Sequence, residues 1–197
     1  VFRVGEPHGR ITPRVQQLVT MLSSIDSARS TENLWGERWS KLCANAMGNG
    51  VSASTGFSSN EVAREPLTRR LQIKLAGEAI AVGQALGYAL EEINKHPAED
   101  WIAAASGDAK ALAAVEASRL AQTKTTAEGS RPSMGQDIQK GRRTEIEQIN
   151  GFVVDKAAVQ VFVHVGNAPF GPRKDLGPDG AHVGQVRGFF GVAQRRF

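Results

Sequence analysis

The segment LWGERWSKLCANAMGNG, residues 34–50, carries a polar row through an otherwise apolar stretch. Lys41, Asn45 and Asn49 follow one another at intervals of four, beside Trp39 and Leu42. Because four residues advance a helix by one turn plus about 40°, these polar side chains fall in one slanted row. The segment therefore predicts a helix from about residue 32 to 47, with a cation and two amides on one face.

This row has two interpretations. It is either the solvated face of an amphipathic helix, or a surface that binds an anionic, carbonyl-bearing small molecule through an ammonium group and two amides. Asn is a poor helix former, so two of them inside a helix need a reason. Trp35, Trp39 and Cys43 also indicate that much of this helix is buried. Both features weaken the first interpretation.

A second informative segment is SMGQDIQKGRRTEIEQING, residues 133–151, in which Ser133 and Glu145 stand twelve residues apart. Together the two segments resemble the C-terminal domain of ketopantoate reductase, also called 2-dehydropantoate 2-reductase. The family pattern W-x-K-x-x-x-N-x-x-x-N is matched at residues 39–49, and S-M-x-Q-D and R-x-T-E-I-x-x-I-N-G are matched within residues 133–151. VFRVGEPHGRITPRVQQLVTML at the start is similar to the strand and helix that follow the family's nucleotide-binding domain, so the resemblance covers residues 1–158.

The resemblance implies an all-α fold, of the multi-helix type found in the C-terminal domains of ketopantoate reductase and 6-phosphogluconate dehydrogenase. We expect residues 1–10 to end the link from a nucleotide-binding domain and residues 11–158 to form an all-α substrate-binding and catalytic domain. Residues 159–197 are rich in Gly, Arg and Phe without a helical period, and we expect them to form an atypical, poorly ordered tail.

The resemblance also implies a reaction: a cytoplasmic, NADPH-dependent reduction of 2-dehydropantoate to (R)-pantoate, on the route to pantothenate and coenzyme A. By motif position, Lys41 would be the general acid that protonates the ketone oxygen. Asn45 and Asn49 would hold the hydroxyl and carbonyl oxygens of the substrate, and Ser133 its carboxylate. Glu145 would orient the substrate or the nicotinamide ribose and keep Lys41 charged.

One family position departs from the pattern. Ten residues after its second Asn the family tends to place another substrate-binding Asn, where this chain has Ser59 followed by Asn60. Either the loop slips by one residue, which makes Asn60 the substrate-binding residue, or this contact differs. The exact 2-keto acid is therefore left open.

No strand followed by G-x-G-x-x-G is visible in the sequence, although a dinucleotide-binding domain needs one. The nearest match, GNGVSA at residues 48–53, follows a predicted helix. We therefore expect the chain to be the C-terminal part of a longer enzyme, whose missing N-terminal domain binds most of the NADPH, and to turn over little substrate alone.

Composition disfavours several other classes of protein. The formal charge is +4, but residues 1–170 hold 19 basic and 18 acidic residues, so the body is nearly neutral and no nucleic-acid partner is predicted. No apolar run approaches the roughly 18 residues of a membrane span. The single Cys43 reads as a packed thiol, and the four histidines lack the spacing of a metal site.

The rest of the chain predicts a strand over residues 1–5 and further helices over residues 13–23 (capped by Thr12), 66–95, 109–122 (capped by Asp108) and 145–158. The last would begin with a capping box of Thr144 and Glu147. Three alternatives to a 2-dehydropantoate reductase stay open: a related 2-keto acid reductase, a helical binding or dimerisation module without catalysis, and a nucleic-acid adaptor that uses the basic tail. The sequence leaves the oligomeric state open between a monomer and a homodimer.

Overall fold

A computed structural model describes the backbone of residues 1–166 and the side chains of residues 1–159. This part of the chain is predominantly helical, so the predicted all-α class is confirmed. The helices are α1 (Pro13–Leu22), α2 (Leu34–Thr55), α3 (Ser59–Arg64), α4 (Pro66–Ala85), α5 (Ala98–Ser106), α6 (Ala109–Gln122), α7 (Ser133–Gln139) and α8 (Phe152–Gly166), with a π-helical turn at Glu147–Gly151. Two strands, β1 (Phe2–Val4) and β2 (Ala28–Ser30), precede α2.

The N-terminal unit joins the two strands through α1. β1 pairs in parallel with β2, with Phe2 opposite Ala28, and α1 forms the crossover between them. α1 begins as predicted, because the Thr12 side chain accepts a hydrogen bond from the Val15 N–H. β2 was not predicted, because three residues are too few to show a period.

The apolar core lies where α2, α4 and α5 pack together. Trp39 and Trp101 are buried in it, and their indole N–H groups donate to the carbonyls of Ala79 and Ile93, both at 2.9 Å. Small residues on α4 allow this packing: a Cβ built at Gly83 would lie 2.1 Å from the Trp39 ring. The missing side chain at Gly83 therefore lets α2 and α4 approach closely.

α2 is longer than predicted. Gly48 and Gly50 do not end the helix, which continues to Thr55 and stops at Gly56, where φ is +72°. A Cβ at Gly50 would lie only 3.3 Å from Cδ1 of Ile146. The missing side chain at Gly50 therefore leaves room for the segment that contains Ile146. A glycine inside a helix costs about 1 kcal/mol relative to alanine, and packing offsets that cost here.

α4 is shorter than predicted, because it ends at Ala85 rather than near Lys95. Gly87 takes a left-handed φ of +83° and turns the chain out of the helix. Ile93 lies beyond the end of the helix but is still buried, and it forms an isolated bridge with His96. The following α5 was not predicted.

The capping box predicted at Thr144 is wrong. The helical region has no side-chain cap, and Glu147 instead accepts a hydrogen bond from Arg143 at 2.8 Å. A π-helical turn then leads into α8, which runs past the predicted end at Ala158 to Gly166.

The predicted tail over residues 159–197 overlaps the end of α8 in its first eight residues. Residues 167–197 lie outside the described part of the chain. Among the helices of residues 1–166, none has both the length and the apolar character that a bilayer crossing requires.

Candidate functional site

The polar row of α2 faces a cavity of about 430 Å³. Its walls come from α2, α3, α4 and α6, together with the start of α7. Five of the six predicted site residues line it: Lys41, Asn45, Asn49, Asn60 and Ser133. Residues up to 92 positions apart in the sequence therefore share one cavity.

Glu145 is the exception. Its side chain is exposed, it does not line the cavity, and within residues 1–159 it forms no ion pair with Lys41. It lies just before the π-helical turn, where its carbonyl accepts the N–H groups of Gln148 and Ile149. The structure thus brings five predicted residues together and leaves the sixth at the surface.

The two buried asparagines of the site differ in their surroundings. Asn49 is 5% exposed, and its side chain makes no hydrogen bond to residues 1–159. Asn60 is 1% exposed, and its Nδ2 donates to the Thr126 carbonyl at 3.0 Å. Asn49 therefore keeps its full donor and acceptor capacity for a ligand, whereas one donor of Asn60 is already used.

A short helix holds the Ser59–Asn60 pair in place. Ser58 caps α3 and forms a capping box with Glu61, in which each side chain bonds the other's backbone N–H. The backbone N–H of Ser59 also donates to the Ser130 carbonyl at 2.8 Å. Ser59 and Asn60 both line the cavity, so both candidates for the family's third Asn position are present at the site.

Ser133 reaches the cavity because α7 packs closely on α2. A Cβ at Gly135 would lie 2.8 Å from Oγ of Ser52, which is itself buried and donates to the Phe57 carbonyl. Met134 is buried in the core beside it. In the sequence SMG, Met134 and Gly135 therefore pack α7 against its neighbours, while the Ser133 hydroxyl faces the cavity.

Several lining residues were missed from the sequence. They are Ser52, Gln72, Asn94, Arg119, Gln122, Thr123 and Thr126. Arg119 stands in the last turn of the Ala-rich α6, where a cation is an ordinary complement to the helix dipole, so its sequence context gave no functional signal. Only the packing of α6 against α3 and α4 reveals it.

The electrostatic character of the cavity is positive. Among residues 1–159, Lys41 and Arg119 are the cations of the lining, and no Asp or Glu belongs to it. The desolvation that accompanies burial lowers the pKa of Arg119, although a guanidinium remains protonated at neutral pH. Two cations, amides and hydroxyls can bind an anion that also carries hydrogen-bonding oxygens.

An aromatic groove adjoins the polar cavity at Lys41 and Asn45, which line both. Trp39 stacks on Tyr88 with ring centroids 5.1 Å apart, and Phe152 lies near the same ring. Trp35, expected to be buried, is 47% exposed at this groove. Its indole N–H donates to the Pro7 carbonyl instead of entering the core. Lys41 thus stands between a polar and an aromatic surface.

Cys43 is a packed thiol, as predicted. It is fully buried in the core, and burial raises its pKa to about 12. The GNGVSA segment, residues 48–53, lies inside α2 and therefore does not form a phosphate-binding loop.

Comparison with known proteins identifies relatives of this chain. A family model described as "Ketopantoate reductase PanE/ApbA C terminal" matches residues 33–162. A 2-dehydropantoate 2-reductase from Archaeoglobus fulgidus is 29% identical over 154 residues, which are 78% of this chain and 44% of that relative. The chain spans less than half the length of the curated relatives it matches.

Two solved structures share the fold. A 2-dehydropantoate 2-reductase from Geobacter metallireducens superimposes with a TM-score of 0.59 at 24% identity, over 80% of this chain and 47% of that one. A D-mandelate dehydrogenase in complex with NADH superimposes with a TM-score of 0.60 at 19% identity, over 80% of this chain and 48% of that one.

Proposed function

The chain belongs to the family of ketopantoate reductase C-terminal domains, and on that premise we propose that it forms the substrate-binding part of an NADPH-dependent 2-dehydropantoate 2-reductase. The reaction is the reduction of the 2-dehydropantoate ketone to (R)-pantoate, a step in the synthesis of pantothenate and coenzyme A. The observation that carries this proposal is the convergence of Lys41, Asn45, Asn49, Asn60 and Ser133 on one positively charged cavity.

In this proposal Lys41 is the general acid. When bound, NADPH supplies the hydride that reduces the ketone. Lys41 donates a proton to the ketone oxygen and stabilises the negative charge that develops there. Lys41 lies where the polar cavity meets the aromatic groove. Its ammonium group can therefore contact a substrate in the cavity and still be reached by solvent.

The amides and the hydroxyl orient the substrate. Asn45 and Asn49 hold its hydroxyl and carbonyl oxygens, Asn60 adds a further contact, and Ser133 binds the carboxylate. The free amide of Asn49 supports its assignment, because a buried amide without a protein partner gains most from a ligand that satisfies it.

We assign the pyrophosphate of NADPH to a separate nucleotide-binding domain. Within residues 1–166, the segment nearest to a dinucleotide fingerprint is helical and offers no phosphate cradle. Glu145 is proposed to orient the substrate or the nicotinamide ribose. Its exposed position supports a contact with a group that comes from outside the cavity. The preference for NADPH over NADH and a cytoplasmic location belong to the same proposal.

A related 2-keto acid reductase is the second candidate function. It is favoured by the Ser59–Asn60 pair, because the donor that Asn60 gives to Thr126 is not free for a substrate hydroxyl. A cavity of about 430 Å³ also has the size of an ordinary small-molecule site, so its volume does not single out one acid.

The proposal is tested by joining the chain to a ketopantoate reductase nucleotide-binding domain and following NADPH oxidation. We expect 2-dehydropantoate to support turnover with (R)-pantoate as product, and phenylglyoxylate and pyruvate to be much poorer substrates. Preference for one of those acids would favour the second candidate. A joined protein that binds NADPH and reduces none of the three would favour the module without catalysis. Sedimentation of the same protein distinguishes a monomer from the homodimer, which stays a prediction.

A further inference from the structure

Arg119 is held in place without being neutralised. Its Nη2 donates to Oε1 of Gln72 at 2.9 Å, and its Nη1 donates to Oε1 of Gln122 at 2.5 Å. Both acceptors are neutral amides, and none of the ion pairs among residues 1–159 includes Arg119. Its Nε is buried and has no hydrogen-bond partner in the described part of the chain.

Two other arginines that are buried or partly buried, Arg69 and Arg3, have a carboxylate nearby. Nε of Arg69 lies 3.4 Å from Oε1 of Glu116, and Arg3 contacts Glu37 at 2.9 Å. Placing a cation in a poorly solvated site without a counter-charge is unfavourable. Arg119 therefore has the surroundings of a group whose negative partner is a ligand.

Gln72 connects Arg119 to the substrate-facing side of α2. Its side chain is 3% exposed and also lines the cavity. While Oε1 accepts from Arg119, Nε2 lies 3.8 Å from the position of a Cβ built on Gly48. Gly48 stands between Asn45 and Asn49 in the sequence, so Gln72 links the guanidinium to the part of α2 that carries the amides we assign to the substrate.

We propose that Arg119 binds the carboxylate of the 2-keto acid, together with Ser133, and so makes the cavity selective for acids over their neutral derivatives. This inference rests on the proposed function, because it assigns a part to a residue of the same cavity. A guanidinium offers a planar fork of N–H donors that matches a carboxylate, and hydrogen bonds between charged groups are the stronger ones.

The charges then balance during reduction. A bound NADPH would supply the hydride that adds to the carbonyl carbon and would itself be oxidised to NADP⁺. The π electrons of the C=O bond then move to oxygen, and the Lys41 ammonium transfers a proton to that oxygen. The carboxylate and the developing alkoxide together carry two negative charges, opposite the two cations Lys41 and Arg119. Arg119 thereby takes the permanent charge of the substrate and leaves Lys41 to the charge that appears in the transition state.

Binding measurements on the chain itself test this inference without turnover. Titration calorimetry with (R)-pantoate, and with its neutral cyclic ester (R)-pantolactone, should show binding of the acid and weak or no binding of the lactone. Arg119→Gln should weaken pantoate binding about 10- to 100-fold, the range expected for loss of a hydrogen bond to a charged group. Arg119→Lys, which keeps the charge but loses the fork, should lie in between.

Arg142→Gln is the matched control, because Arg142 is exposed and does not line the cavity. Its affinity for pantoate should equal that of the wild type. Three results would each overturn the inference: a wild-type chain that does not bind pantoate, equal binding of acid and lactone, or an Arg119→Gln variant with wild-type affinity.

Loss of folding in Arg119→Gln is detected by circular dichroism, and a second measurement then decides. The ¹⁵Nε–H signal of Arg119, identified by its loss in Arg119→Lys, should shift when pantoate is added to the wild type, and an unmoved signal would refute the assignment.

Failure of the two proposals is distinguishable. Arg119-dependent pantoate binding in a joined protein without ketone reduction would refute only the reaction, and turnover with unchanged binding by Arg119→Gln would refute only the inference.

Discussion

The two faces of α2 have different surroundings, one in the apolar core and one at the cavity. One face carries Trp39 and Cys43, which are buried in the core against other helices. The other carries Lys41, Asn45 and Asn49, which face the cavity. A residue and its neighbour two positions away thus serve opposite purposes, because two residues turn a helix by roughly 200°. Substitutions on the core face can therefore be tested by the free energy of unfolding, and substitutions on the cavity face by ligand binding and turnover.

The largest expected effect is on the cavity face. In the joined enzyme, Lys41→Ala should lower turnover by roughly 10²- to 10⁴-fold, as expected for loss of a positioned general acid. Stability should be unchanged, because Lys41 is exposed and forms no ion pair within residues 1–159. Stopped-flow or steady-state NADPH oxidation measures the rate. Lys110→Ala, exposed on α6, is the control, and a wild-type rate in Lys41→Ala would remove the assignment.

On the core face, Trp39→Ala should lower the free energy of unfolding by about 3–5 kcal/mol, as for other large aromatic residues removed from a core. The substitution empties the space against Gly83 and leaves the Ala79 carbonyl without its indole donor. Urea denaturation measures the change. Trp35→Ala, a matched change on the same helix at a half-exposed position, should cost about 1 kcal/mol. Equal costs would contradict the division into two faces.

Cys43 makes the core face sensitive to alkaline pH. Its pKa is raised by burial from 9.0 to about 12, so the unfolded chain loses this proton before the folded chain does. The stabilising contribution is complete below pH 9 and is lost as pH rises towards 12, with a slope of about 1.4 kcal/mol per pH unit between them. Unfolding free energies of the wild type and Cys43→Ala measured from pH 8 to 11 should diverge in slope. Parallel curves would show that this thiol ionises equally in both states.

The smallest effects are expected for substitutions of Ser133 and Glu145, in the segment of residues 133–151. Ser133→Ala should weaken substrate affinity about 3- to 10-fold, as expected for a hydrogen bond of about 1 kcal/mol, with turnover little changed. Glu145→Ala should instead lower turnover in the joined enzyme, by about tenfold, because it loses an interaction of a charged group. Since Glu145 is exposed and outside the cavity lining, pantoate binding by the chain alone should be unaffected. A change mainly in kcat for Ser133→Ala, or mainly in KM for Glu145→Ala, would contradict these roles.

Much of this arrangement could be predicted from local sequence. The caps at Thr12 and Asp108 fix the starts of α1 and α6, because each side chain accepts a backbone N–H three residues on. The four-residue spacing of Lys41, Asn45 and Asn49 correctly placed them on one face. Helix ends were less predictable, since Gly50 continues a helix where a neighbour needs the space, whereas Gly87 ends one.

The sequence by itself determined the helical class, the polar row on α2 and the motif resemblance that linked Ser133 to that row. Those features depend on period, capping and residue order, which are local or can be read along the chain. Only the tertiary structure decided that Arg119 and Gln72 complete the cavity and that Glu145 stands outside it. These positions depend on how α4 and α7 pack against α2 and how α6 packs against α4, and these contacts join residues far apart in the sequence.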